Sequence, residues 1–68
     1  MSPRKALLKA IEIVGGQAAM ARALKISQNA VWLWVHRTGR CPLRWVIEIE
    51  KLTDGEVSRR DLAPEMYE

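Results

Sequence analysis

Leu7, Ala10, Ile11 and Val14 recur at i, i+3, i+4 and i+7, the spacing that lines one face of an α-helix. Ser2-Pro3 supplies its start, a capping hydroxyl followed by proline at the first helical position. Gly15-Gly16 ends it, because glycine accepts the left-handed conformation that closes a helix. Residues 17–24 (QAAMARAL) form a second helix, with Ala18, Ala21 and Leu24 on a shared face. Ser27 caps a third, Gln28 to about Arg37, which Thr38-Gly39 stops. Cys41-Pro42 opens a fourth, in which Trp45, Val46, Ile49 and Leu52 share a face. Asp54-Gly55 is a turn, and Ser58-Arg59-Arg60-Asp61 resembles a capping box before a short fifth helical turn that ends by Pro64. No stretch alternates like a strand, so the pattern predicts an all-α chain.

Only Lys25-Ile26-Ser27 joins the second helix to the third. So short a connection cannot lay two helices antiparallel, so they must cross steeply, as in a helix-turn-helix over residues 17–36. Ala21 falls where the helices cross and only a small side chain fits. Leu24 and Ile26 bracket the turn, and Val31 and Trp34 point back into a shared core. At 100° per residue, Val31, Trp34 and Val35 share one side of the third helix. Gln28, Asn29, Trp32, Leu33 and His36 project from the other.

Gln and Asn can pair bidentately with adenine, discriminating by about 1–3 kcal/mol per good pair, and Gln28 and Asn29 lie near the helix start, where base edges are reached. The plain alternative is polar surface after a cap. His36 either donates to a phosphate or a base, or sits at the helix end against the C-terminal dipole. Trp32 and Leu33 side by side leave apolar area in water, which marks a contact surface. They pack on thymine methyls and sugars, or bury against a partner protein, or belong to a helix rotated so that Trp32 is core.

Charge sharpens this picture. Residues 1–44 carry eight Lys or Arg against one acid, Glu12, whereas residues 45–68 carry three bases against seven acids. One end of the molecule therefore suits a polyanion. Arg22, Lys25, Arg37, Arg40 and Arg44 flank the motif as candidate phosphate contacts, and Gln17 could offer its amide and a helix N-terminus to another phosphate.

Composition excludes other classes. With 68 residues and 49% of them hydrophobic, the chain supports one domain, residues 1–68, with a modest core. Cys41 is the sole cysteine, so no internal disulfide forms and a reducing cytoplasm is expected. No apolar run approaches the roughly 18–20 residues of a membrane span, and no signal peptide follows Met1-Ser2-Pro3-Arg4-Lys5. One Cys and one His cannot build a structural zinc site, and Gly15-Gly16 lacks the continuation of a phosphate-binding loop. Glu48 and Glu50 face different ways on their helix, and no serine pairs with His36 and an orienting acid. The expectation is therefore a protein that is not an enzyme and takes no cofactor, metal, small-molecule ligand or membrane.

From Gly15 onward the chain resembles the Cro-like and YdaS-like family of short prophage repressors and antitoxins. The matching stretches are GGQAAMARALKISQNAVWLW, the basic Gly-Arg-Cys-Pro loop and IEIEKLTDGEVSRRDLAPEMYE. That resemblance implies a compact five-helix helix-turn-helix domain of lambda-repressor-like fold, which binds operator DNA at the bacterial nucleoid and represses transcription. Ser27, Gln28, Asn29 and position 32 match the family's base-reading stretch, and Arg37 and Arg40 its basic loop. Lys25 stands where relatives commonly have Gly, and Trp32-Leu33 where they often have Ser-Gln or Ser-Asn, so the operator does not transfer. A palindromic double-stranded site bound by a homodimer is expected, with half-sites about 34 Å apart. Ile47, Leu52, Val57, Leu62 and Met66 are the expected dimer surface, offering more apolar area than so small a core needs. The alternative is an antitoxin or protein-interaction module whose Trp32-Leu33 face binds a partner protein.

Overall fold

The chain was analysed as a computed structural model, which describes residues 1–67. Five α-helices follow one another, with no strand among the described residues. They are α1 (Pro3–Val14), α2 (Gln17–Leu24), α3 (Gln28–Leu33), α4 (Leu43–Leu52) and α5 (Arg59–Leu62). A π turn, Trp34–Thr38, continues α3.

Three of the helices, α1, α3 and α5, start at a serine whose side chain relieves an unpaired N–H group. Ser2 Oγ accepts from the Lys5 N–H at 3.2 Å, with Pro3 behind it. Ser27 Oγ accepts from the Ala30 N–H at 3.1 Å. The capping box at Ser58 closes in both directions, with Asp61 replacing the more usual Glu at no loss of reach. Between α1 and α2 the backbone turns through two left-handed glycines, Gly15 at φ 105° and Gly16 at φ 116°. The Gly16 pair of angles is open in practice only to glycine.

The core gathers one stripe from each helix. Ala6, Leu7, Ala10 and Ile11 of α1 meet Met20, Ala21 and Leu24 of α2, Val31 of α3, and Val46 and Ile49 of α4. The α2 stripe is broader than expected: Met20 is fully buried while Ala18 is only half-buried, so the helix turns its long thioether inward. Trp45 packs at the margin of the core and Leu52 stands at its edge, leaving Val46 and Ile49 as the buried residues of α4.

Two expectations are corrected here. Val57 and Leu62, assigned to a dimer surface, are 0% and 1% exposed and belong to the chain's own core. A small domain needs that area: burying such a side chain is worth about 1.5–3 kcal/mol, and offering it to a partner would forfeit it. Ile47 is half-buried, and Leu52 and Met66 remain exposed. The third helix is also not α-helical to Arg37. After Leu33 the ring widens: the Gly39 N–H donates to the Trp34 carbonyl at 2.7 Å, an i→i−5 bond, and Thr38 Oγ1 donates to the Leu33 carbonyl at 3.3 Å. Trp34 and Val35 both face the core within this ring, as the helical spacing from Val31 anticipates.

The acidic end is tied down separately. Thr53, the one buried polar residue among those described, accepts from the Val57 N–H at 3.2 Å through Oγ1, whose hydrogen is directed to the Glu50 or Val57 carbonyl. Glu50 receives the backbone N–H of Arg59 at 2.7 Å and its guanidinium at 2.8 Å. That guanidinium holds the Glu50 carboxyl below the usual carboxylate range.

Candidate nucleic-acid interface

Helix α3 is short, and its two faces are chemically opposite. Val31 is fully buried, whereas Ser27, Gln28, Asn29, Trp32, Leu33 and His36 are all exposed. The outward face is thus the one expected, and the rotated-helix alternative is excluded because Trp32 is 45% exposed. Ser27 caps α3 through one lone pair and keeps its O–H free to donate elsewhere.

The outward face is organised. Gln28, Asn29 and Trp32, spaced i, i+1 and i+4, line a shallow, open hollow of about 340 Å³. On the far side of Trp32, the His36 ring stacks at 4.4 Å between centroids, tilted by 36°. The wide ring after Leu33 carries His36 while Trp34 stays in the core, so stacking and burial coexist.

Of the cations that flank the motif in the chain, Arg22, Lys25, Arg37 and Arg44 are exposed; Gln17 is half-buried at the first position of α2. Lys25 adopts the left-handed conformation, φ 59° and ψ 43°, so the turn accepts a side chain where glycine would be unstrained. Arg44 lies over the Trp45 ring at 5.2 Å, a cation–π contact that orients it.

Arg40 is placed differently from the others. Its Nη2 donates to the Leu62 carbonyl at 3.2 Å and pairs with the Glu65 carboxylate, tying the loop after the π turn to the C-terminal segment. The Glu65 carboxyl is held low, first by its own backbone N–H and further by Arg40. Beside this tie runs a larger groove of about 650 Å³, lined mainly by Leu33, Trp34, Pro42 and Leu43, with Cys41 on its floor. Burial pushes the Cys41 thiol up to about 11. The sequence reading missed Leu43, which stands exposed at the first position of α4. It also missed Glu65 as the partner of Arg40, because nothing in local spacing links residues 25 apart in the chain.

Among the described residues, no group of His, Cys, Asp and Glu is arranged to hold a metal ion. Nor is any helix long and apolar enough to cross a membrane.

Comparison with known proteins gives this arrangement relatives. Residues 7–68 match the family model described as "Bacterial toxin YdaS". YdaS of Escherichia coli (strain K12), assigned as a transcriptional regulator, is 38% identical over 58 residues, which cover 85% of this chain. The chain spans 59% of the length of that relative. Among solved structures, the Cro protein from the Xfaso 1 prophage element of Xylella fastidiosa strain Ann-1 is 35% identical, with a TM-score of 0.85. That likeness covers 93% of this chain and 95% of the Cro chain. Matched along most of its length and sharing the Cro helix-turn-helix fold, the chain belongs to the Cro-like YdaS family.

Proposed function

We propose that this protein is a sequence-specific DNA-binding transcriptional regulator, a Cro-type repressor of a prophage or autoregulated operon. The observation that carries the reading is the outward face of α3: amides, an indole and an imidazole unburied together, with Arg22, Lys25, Arg37 and Arg44 exposed on the segments that flank it in the chain. Residues 17–36 are the motif within a single domain, 1–68. Helix α3 enters the major groove, with Ser27, Gln28, Asn29, Trp32, Leu33 and His36 at the base edges. Gln17, Arg22, Lys25, Arg37 and Arg44 meet phosphates, and Arg40 adds one through the Nε and Nη1 hydrogens that its C-terminal tie leaves available. The operator is palindromic and bound by a homodimer, at the nucleoid of the bacterial cytoplasm. The names of the E. coli and Xylella relatives support the regulatory role.

Mobility shift on the DNA upstream of the protein's own reading frame tests this. Gln28→Ala and Trp32→Ala should each weaken or redirect binding without loss of helical content. Unaltered affinity and specificity in both variants would remove α3 as the reading element. The toxin description of the family favours a second reading, in which the Trp32-Leu33 face binds a partner protein. Under that reading Trp32→Ala loses the partner, and both variants leave any DNA binding intact.

A further inference from the structure

Gln28, Asn29 and Trp32 form one receptor rather than three neighbouring contacts. They line a single shallow, open hollow of about 340 Å³. Two of its walls are amides, each presenting a donor and an acceptor, and the third is an indole face. An indole free to swing would give that hollow no fixed shape. Here the His36 ring braces it from behind at 4.4 Å, so the aromatic wall stays in place without entering the core. The ligand this chemistry fits is planar, with a donor and an acceptor at one edge and a compact apolar group beside them.

Among base pairs seen from the major groove, that description selects A·T. Adenine presents the N6 donor and N7 acceptor, and thymine sets its C5-methyl alongside, where cytosine carries only hydrogen. We infer that Gln28 and Asn29 read adenine while the braced face of Trp32 reads the thymine methyl, making Trp32 the residue that sets A·T preference. This rests on the DNA-binding reading above and names which feature of the duplex the site takes. Trp32 acts by burying a methyl group, not by hydrogen bonding, so its contribution is separable from that of the amides. Burial of one methyl corresponds to about a fourfold change in affinity.

The test removes the methyl without touching any hydrogen bond. Duplexes selected by the full-length protein from a random pool are remade with deoxyuridine in place of thymidine, and both forms are titrated with wild type, Trp32→Ala and Gln28→Ala. The expected result is that wild type and Gln28→Ala bind the deoxyuridine form about fourfold more weakly per contacted thymine. Trp32→Ala, by contrast, should bind both forms equally. Equal wild-type affinity for the two forms would overturn the inference and leave DNA binding standing. So would an undiminished preference for thymidine in Trp32→Ala, which would put the methyl against another residue. Failure to select any sequence, with the protein folded by circular dichroism, would instead overturn the DNA-binding reading itself. Because Trp32 is outside the core, its alanine variant keeps the fold.

Discussion

Lys25 holds a backbone conformation that an L-residue enters at a cost of about 1–2 kcal/mol, yet its ammonium stands at the edge of the proposed DNA face. Glycine would remove that strain but lose more freedom on folding. Lys25→Gly is therefore expected to raise stability by less than about 1 kcal/mol, seen as a higher urea midpoint at unchanged slope. It should also make the salt dependence of DNA binding shallower by about one phosphate's worth. The position was legible in the sequence as a departure from the usual glycine, and the structure adds that Lys25 itself takes the left-handed conformation there.

Cys41 makes a second residue-scale case. Its thiol is almost wholly buried, and its pKa stands near 11 instead of 9.0. Above pH 9 the unfolded chain releases this proton while the folded chain keeps it, so stability falls as pH rises from about 9 towards 11. The loss is of order 2 kcal/mol. Comparing Cys41→Ala with wild type by denaturant titration across that range isolates the effect: the stability gap between them should narrow as pH rises. Sequence alone showed only that Cys41 has no disulfide partner. Its burial depends on the loop after the π turn, which local pattern does not specify.

At the scale of elements, the first three helices were readable because their caps, apolar stripes and glycines agree with one another. Met20 escaped because an alanine-rich helix offers several equally good stripes, and tertiary packing chose the one with the largest side chain. The link from α4 to α5 was less legible, since it depends on one buried hydroxyl. Thr53→Val keeps the shape but leaves the buried Val57 N–H without an acceptor, and should cost about 1–3 kcal/mol in chemical denaturation. Thr53→Ser keeps that acceptor and should lose less, about 0.8 kcal/mol for its methyl group. An equal loss in both would show that packing, not the hydrogen bond, secures the turn.

Over the whole molecule, the separation of charge holds along the sequence but not fully in space, since Glu65 is brought back to Arg40 in the groove that Leu33 also lines. The extents of 30 × 25 × 18 Å accommodate one outward α3 per chain. Two half-sites about 34 Å apart thus call for two copies. With Val57 and Leu62 withdrawn into the core, Ile47, Leu52 and Met66 are what remains of the anticipated contact. Sedimentation equilibrium at micromolar concentration should give the mass of two chains, and Leu52→Glu should shift it towards one with helical content unchanged. A single-chain mass for wild type would exclude this surface. The dimer contact was the least legible part of the sequence, because an apolar residue reads alike whether it completes its own core or meets a partner.

The widened ring after Leu33 has a consequence for how such a protein changes over time. It holds one residue more than an α-helical turn requires, and the Gly39 N–H closes it onto Trp34. Deleting Thr38 would let the ring relax to ordinary pitch and leave later residues close to their present phase relative to Gln28 and Trp32, because the wide ring is what absorbs the extra residue. A residue can therefore be lost or gained at this turn without re-indexing the loop after it against the outward side of α3. Length variation here is buffered by the ring, and change on the outward face is left to substitutions on α3 itself.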